Sequence, residues 1–207
     1  MNEEQAVLNF FGAPENLPLA LIVGEHIDAL RQQLNRQFWS EITLTIQHET
    51  SDWLVESTED RNNEGCLVGL HLRPVAEQGL FLQPMMEQQL NKGELQIYFG
   101  LIWSSTPTLD KLNLPEIITL RHALEQDGYR DNEGFLAWRW TSLYPRRKDF
   151  LLRFNSQRED ALNSAATSLT DVLERHGDLL LAANRALAVA PSSNAISLTK
   201  LRVNLPS

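Results

Sequence analysis

A chain of 207 residues with 43% hydrophobic and 22% charged residues can bury a sizeable core, which excludes an extended disordered chain. Its single cysteine, Cys66, excludes a disulfide framework and a zinc site built from several cysteines. The acidic start, Met-Asn-Glu-Glu-Gln, is unlike a signal peptide, and no apolar run approaches membrane-spanning length. We therefore expect a cytoplasmic protein without a membrane partner.

The charge of the chain is unevenly distributed. The net charge of −9 arises entirely in residues 1–60, which hold 11 acidic and two basic side chains. The segment 139–158 is basic instead, since it holds six cations against Asp149 alone. Such asymmetry bears on partners and association rather than on the fold.

Spacings of three and four between apolar residues predict helices over 2–11, 19–39, 114–127 and 156–189. In the second of these, Val23, Leu30 and Phe38 belong to a stripe that we expect to pack on a sheet. Capping-box patterns begin the third and fourth helices. In the last helix, the apolar residues before and after Gly177 lie on the same helix face. This pattern favours one long helix over two helices that break at Gly177-Asp178.

Alternation of apolar and polar residues predicts the strands. The central pair is 93–103 and 134–143, and Leu136, Trp138 and Trp140 are expected on one face of the second. The other predicted strands cover residues 42–46, 53–57, 66–73 and 150–154, the last of which returns as a hairpin with 134–143. Residues 79–86 fit either a short strand or the entry to a helical turn, and 195–203 fit a weak edge strand or a loose end.

Together these elements predict an α+β fold, with a mostly antiparallel sheet of about six strands. Three main helices at 19–39, 114–127 and 156–189 cover the sheet, and the C-terminal helix is the longest. We expect a single domain over residues 1–207, with 1–17 as an N-terminal arm and 191–207 as a C-terminal tail or an edge strand. Leu30 and Phe99 are expected in the core, so their truncation to alanine should each cost about 2–5 kcal/mol. Cys66 is expected to face inward and to resist thiol reagents.

The sequence contains no recognisable catalytic motif. A glycine-rich phosphate loop, a G-x-S-x-G elbow and a helical pair of histidines are all missing, so neither an enzyme nor a cofactor or metal is predicted. A catalytic site whose residues are scattered along the chain would leave no such pattern. His176 falls on an apolar stripe and is expected to be a buried core histidine.

The best candidate binding residues are aromatic and basic side chains close together in the chain. They are Trp138, Arg139, Trp140, Tyr144, Arg146, Arg147 and Lys148. Aromatic rings stack bases and cations hold phosphates, which would suit a nucleic acid. The alternative is structural, because two tryptophans on one strand face also suit a buried sheet. Arg139, on the opposite face, should distinguish the two hypotheses.

The run Ile97-Tyr98-Phe99-Gly100-Leu101, followed by Trp138-Arg139-Trp140 and a long terminal helix, resembles the non-catalytic C-terminal part of some bacterial and phage PD-(D/E)XK-superfamily proteins. The resemblance covers about the second half of the chain. Glu-x-Lys and Asp-x-Lys, the nuclease signature of that superfamily, do not occur here. The resemblance therefore implies no activity and no catalytic residue.

Two functions follow as hypotheses. The first is a non-enzymatic interaction module, accessory or regulatory, that binds a protein partner or a second copy of the chain. In a homodimer, the acidic first third would face the basic segment 139–158, and association would weaken with salt. The second is a nucleic-acid-associated accessory protein that uses residues 138–148, although a pI of about 5.0 argues against it.

Overall fold

A computed structural model describes residues 2–59, 68–75 and 80–190, which form two compact units, Met1–Gln37 and Phe38–Ser207. The helices are α1 (Glu3–Gly12), α2 (Leu17–Glu49), α3 (Leu109–Leu112), α4 (Pro115–Gln126), α5 (Lys148–Ser156) and α6 (Arg158–Val189). The strands are β1 (Trp53–Glu59), β2 (Val68–Pro74), β3 (Leu82–Asn91), β4 (Glu94–Trp103), β5 (Arg130–Asn132) and β6 (Phe135–Trp140). The predictions for Cys66 and for residues 191–207 concern residues outside the described ranges.

All six strands form one antiparallel sheet in the order β1-β2-β3-β4-β6-β5. The predicted α+β class is therefore confirmed. The ten residues of β3 pair with the ten of β4 across a two-residue turn, Lys92-Gly93, in which both residues have positive φ. Residues 79–86 fitted two structures in the sequence, and within the described part of this segment residues 82–86 begin β3.

The central strand β4 is buried on both faces. Ile97, Phe99, Leu101 and Trp103 belong to the main core, which also contains side chains of α2, α4, α5 and α6. Tyr98 and Ile102 on the opposite face form a second cluster with Met85, Phe135 and Trp138. The alternation predicted for this strand is confirmed, and both of its faces are apolar.

The predicted strand at 42–46 is wrong, because α2 continues to Glu49. Phe38, Ile42 and Ile46 follow one another at intervals of four, which places them on one helix face, and all three are fully buried. Leu44, which strand alternation would have placed beside Ile42 and Ile46, is 67% exposed. The stripe predicted for 19–39 is also wrong at Val23 and Leu30, which are about half exposed.

The predicted returning strand at 150–154 is helix α5 instead. Phe150 and Phe154 lie one helical turn apart and meet the ring of Phe38 edge to face, at centroid distances of 5.1 and 5.7 Å. Helical spacing places both rings on one face, where a strand would have placed Leu152 between them on the same side. Leu152 is exposed.

Strand β6 contains an irregularity that the sequence did not predict. Its pairing with β4 shifts register between Leu101 and Ile102. The shift brings both Leu136 and Ala137 into the main core, while Phe135 and Trp138 enter the second cluster. The prediction that Leu136 and Trp138 share a face is therefore wrong, because a bulge breaks the period of two.

The predicted positions of the last two long helices are confirmed. Helix α4 covers Pro115–Gln126, and α6 runs without a break through Gly177 for 32 residues. The prediction that this C-terminal helix is the longest is wrong, because α2 continues to Glu49 and has 33 residues. The buried side chain of Asn184 joins α6 to the sheet, since its Oδ1 accepts from the backbone N–H groups of Phe81 and Leu82. Its Nδ2 donates to the carbonyl of Leu82.

Among the described residues, no single helix is both long and apolar enough to cross a membrane. Helices α1 and α2 satisfy the length and composition criteria only as a pair, with a bend of 114° between them.

Truncation of a residue on β4 should be far more harmful than truncation of one on the first half of α2. We expect Phe99→Ala to lower the free energy of unfolding by about 3–5 kcal/mol, because the ring is 2% exposed. Leu30→Ala should change it by no more than about 0.5 kcal/mol, since this side chain is half exposed. Chemical denaturation of the two variants measures both values, and equal losses would contradict this account of the core.

Candidate functional site

The two tryptophans among the candidate residues lie in the second apolar cluster. Trp138 is 2% exposed, and its ring meets Trp140 and Tyr98 edge to face at centroid distances of 5.7 and 6.5 Å. The indole Nε1 of Trp138 is buried and makes no hydrogen bond. The face of this ring is therefore occupied by protein, as the structural alternative predicted.

The basic turn is partly neutralised by an acid on β4. Arg147 binds Glu94 through two hydrogen bonds, from Nε to Oε1 at 3.0 Å and from Nη2 to Oε2. The hydrogen bonding by Arg147 lowers the pKa of Glu94. The guanidinium also lies 3.7 Å from the ring centroid of Tyr144. Both Arg147 and Tyr144 are thus engaged within the chain.

A second basic residue is paired with an acid from the first third of the sequence. Arg158 donates Nε to Glu41 Oε2 at 2.6 Å and Nη2 to Oε1, and this hydrogen bonding lowers the pKa of Glu41. The guanidinium also lies 4.4 Å from the centroid of Phe154. Here, an acid of residues 1–60 and a base of residues 139–158 meet within one chain.

Arg146 and Lys148 flank Arg147 on the surface of the turn. The Nε of Arg146 is buried and makes no hydrogen bond, and the side chain lines a cavity of about 200 Å³ with Leu90 and Glu94. Lys148 is exposed at the first turn of α5. The turn therefore contains cations in different environments rather than a continuous basic patch, since Arg147 is ion-paired and Arg146 is partly buried.

Arg139 lies on the face of β6 opposite the two tryptophans, as the alternation predicted. Its guanidinium carbon is 4.9 Å from the centroid of Phe99 and 4.5 Å from that of Tyr129. Its Nη1 donates to the backbone carbonyl of Asp127 at 3.3 Å. Within the described residues, no carboxylate forms an ion pair with it.

The carboxylate of Asp127 is held by two side chains of α6. It accepts from Arg175 Nη2 at 2.6 Å and lies 2.7 Å from Nε2 of His176. The hydrogen bond to His176, followed by that from Arg175, lowers the pKa of Asp127. His176 is buried, as its place on the apolar stripe predicted. Burial raises the pKa of the neighbouring Tyr129 to about 12, so its hydroxyl stays protonated.

A polar cavity of about 300 Å³ opens beside Arg139. Phe99 and Leu143 contribute its apolar walls, and Trp140, whose ring packs on the opposite face of the sheet, also borders it. Hydroxyl-bearing residues contribute the rest, namely Thr141, Ser142, Ser164 and Ser168. The cavity thus combines a cation with several hydroxyl groups between the end of β6 and the N-terminal part of α6.

A buried polar network on the same sheet face as Trp138 was not predicted. Glu87, 1% exposed, accepts from the hydroxyl of Tyr98 at 2.7 Å, and its Oε1 is 3.3 Å from Nε2 of His71. The other ring nitrogen of His71 is 3.1 Å from Oε1 of Gln83. The sequence placed His71 on a predicted strand. It did not identify the neighbouring strand that carries Glu87, because residues 79–86 fitted two different structures.

Among the described residues, no group of three or more His, Cys, Asp and Glu side chains could hold a metal ion. No protein-family model, curated protein or solved structure matches this chain. The resemblance to the PD-(D/E)XK superfamily therefore stays a prediction.

The pairing of Asp127 should make stability depend on pH in a defined direction. Because folding lowers the pKa of Asp127 below the unfolded value of about 3.9, its contribution is present at neutral pH and is lost as the pH falls through the folded value. We expect Asp127→Asn to lower the melting temperature at pH 7, and the difference from wild type to narrow below about pH 4.

Asp178→Asn is the matched control, since Asp178 is an exposed acid of α6 without an ion pair in the described structure. It should change the melting temperature little at either pH. If Asp127→Asn lowered the melting temperature by the same amount at pH 7 and at pH 3, the charge of Asp127 would not be the source of its stabilising effect.

Proposed function

We propose that this protein is a non-enzymatic interaction module that binds a protein partner through its N-terminal unit, and that this partner is a second copy of the chain. The observation that carries the proposal is the exposure of apolar side chains between residues 7 and 30. This stretch holds ten of the 17 exposed large hydrophobic side chains of the described chain. An exposed apolar surface of this extent is typical of an interaction site.

The apolar character of the surface extends around the helix. Leu19, Leu21, Ile22 and Val23 are each about half exposed or more, although they point in different directions around α2. Helix α1 contains no buried residue, and its Leu8 and Phe10 are about 60% exposed. A helix that is apolar on all sides requires more than one neighbour to cover it.

The charges near this surface favour a protein over a lipid bilayer. Residues 2–30 contain five acidic side chains and no lysine or arginine. Membrane-binding helices usually carry cations that attract anionic lipid headgroups, and acids repel them. The surface therefore suits a partner whose contact area is apolar and not acidic.

A second copy of the chain satisfies these requirements directly. Two-fold dimers are the most common oligomers, and their symmetry places every contact in the interface twice. Burial of a large apolar side chain contributes about 1.5–3 kcal/mol, so a few residues from each copy can exceed an association cost of about 4–15 kcal/mol. The paired states of Arg147 and Arg158 give a dimer based on the basic segment less support than one based on these apolar residues.

Sedimentation velocity of the full chain tests the proposal. Wild type should be dimeric, and Leu19→Gln/Ile22→Gln should weaken the dimer at least about tenfold, because glutamine keeps the helix and removes the apolar contacts. The matched control is Leu109→Gln/Ile118→Gln, which replaces two exposed apolar residues of the unit Phe38–Ser207 and should leave the dimer intact.

Salt distinguishes this dimer from an electrostatic one. An apolar interface should persist or strengthen as the salt concentration rises, whereas charge pairing should weaken. A wild type that is monomeric at high protein concentration, or an N-terminal double variant that dimerises normally, would overturn the proposal. Binding of the monomer to neutral phosphatidylcholine vesicles, lost in the same variant, would assign the surface to a membrane instead.

A further inference from the structure

We propose that the cavity beside Arg139 binds a small molecule through a single oxyanion group, either a carboxylate or a phosphate. The inference is independent of self-association, because it concerns β6 and α6 rather than the N-terminal unit. Its basis is a half-buried cation that faces a polar cavity and has no acidic partner in the described structure.

The charge of Arg139 is not neutralised by the carboxylate of Asp127. The carboxylate of Asp127 is bound by Arg175 and His176, so that Asp127 offers Arg139 only its backbone carbonyl. A second acid, Asp171, is close enough to contribute to the raised pKa of Tyr129, the residue whose ring Arg139 contacts. Asp171 nevertheless forms no ion pair with Arg139. A partly desolvated guanidinium without a carboxylate gains from an anionic ligand more than a solvated one does.

The rings of Phe99 and Tyr129 hold the guanidinium in place. Contacts with two aromatic faces, at 4.9 and 4.5 Å, restrict its orientation before any ligand arrives. Only Nη1 has a hydrogen-bond partner within the described residues, and that bond is 3.3 Å long. The remaining N–H groups suit the two oxygens of a carboxylate or phosphate, which arginine binds in a forked geometry.

Hydroxyl groups complete the lining of the cavity. Ser142, Ser164 and Ser168 make no hydrogen bond through their side chains within the described structure, and all three line the cavity. Each hydroxyl can donate to an oxyanion. Thr141 is already engaged, because its Oγ1 donates to the carbonyl of Ile97 and accepts from the N–H of Leu143.

The size of the cavity limits the ligand. A volume of about 300 Å³ is at the lower end of the range for small-molecule sites. Phe99 and Leu143 would contact the uncharged part of the ligand. These dimensions suit a compact metabolite that carries one oxyanion rather than a polymer.

Titration of the full chain with sodium phosphate and with sodium acetate tests the inference. Each is compared with sodium chloride at constant ionic strength, and the readout is the NMR resonance of the arginine Nε–H groups. We expect one arginine resonance to shift saturably with phosphate or acetate and not with chloride. The anion that binds more tightly identifies the oxyanion class.

Three variants assign the shift. Arg139→Gln should abolish the saturable response, and Ser164→Ala/Ser168→Ala should weaken binding at least about tenfold, because it removes two hydroxyl groups that can donate to the anion. The matched control Arg153→Gln replaces an exposed arginine of α5 and should bind as wild type does. The serine variant keeps the ring contacts of Arg139, so the test does not depend on the stability of Arg139→Gln.

Absence of saturation by either anion in the millimolar range would overturn the inference. A saturable response that persists unchanged in both Arg139→Gln and the serine variant would do the same, since it would place the anion elsewhere.

Discussion

The fold depends on the burial of β4 on both faces. Every residue from Leu95 to Trp103 is buried, so both faces of this strand must be covered by apolar neighbours. The helices α2, α4, α5 and α6 supply side chains to the main core on one face. On the other face, Tyr98 and Ile102 meet rings and side chains of β3 and β6. The aromatic residues of β6 are therefore part of the support for the central strand.

The same constraint explains the close approach of β4 and β6. A β-carbon at Gly100 would lie 2.1 Å from the carbonyl oxygen of Ala137, which is closer than atoms can approach. The glycine lets the backbone of β6 lie against β4 at the position of Trp138. The bulge beside Leu101 then distributes the side chains of β6 between the two cores.

Sequence patterns predicted the elements that are long and follow a single period. The alternation of β4 and the stripe of α6 extend over ten and 32 residues, and both predictions were confirmed. The segments at 42–46 and 150–154 are short and satisfy both periods, since apolar residues at intervals of two also occur at intervals of four. The contact of Phe38 with Phe150 and Phe154 favours the helical alternative, and no local pattern contains that contact.

The arrangement of the candidate residues could be predicted only where it follows from the alternation of side chains along a strand. Opposite faces for Arg139 and Trp138 followed from their adjacent positions in one strand. The acidic partners of the basic residues could not be predicted in this way, because Glu94 precedes Arg147 by 53 residues and Glu41 precedes Arg158 by 117. The network of His71 and Glu87 likewise depends on the pairing of β2 with β3. The apolar N-terminal residues were misassigned because periodicity identifies a helix face without identifying what covers it.

The turn at Lys92-Gly93 has a consequence for the order in which the chain folds. Positive φ at both central residues is characteristic of the type I′ turn, whose twist matches that of the strands it joins. The β3–β4 hairpin therefore closes a loop of only two residues, whereas β4 reaches β6 only after the intervening α3, α4 and β5. We expect the hairpin to belong to the folding nucleus and β6 to join later, so that mutations in the turn slow folding and mutations in β6 mainly accelerate unfolding. This order would be contradicted if mutations in the turn mainly accelerated unfolding and mutations in β6 slowed folding.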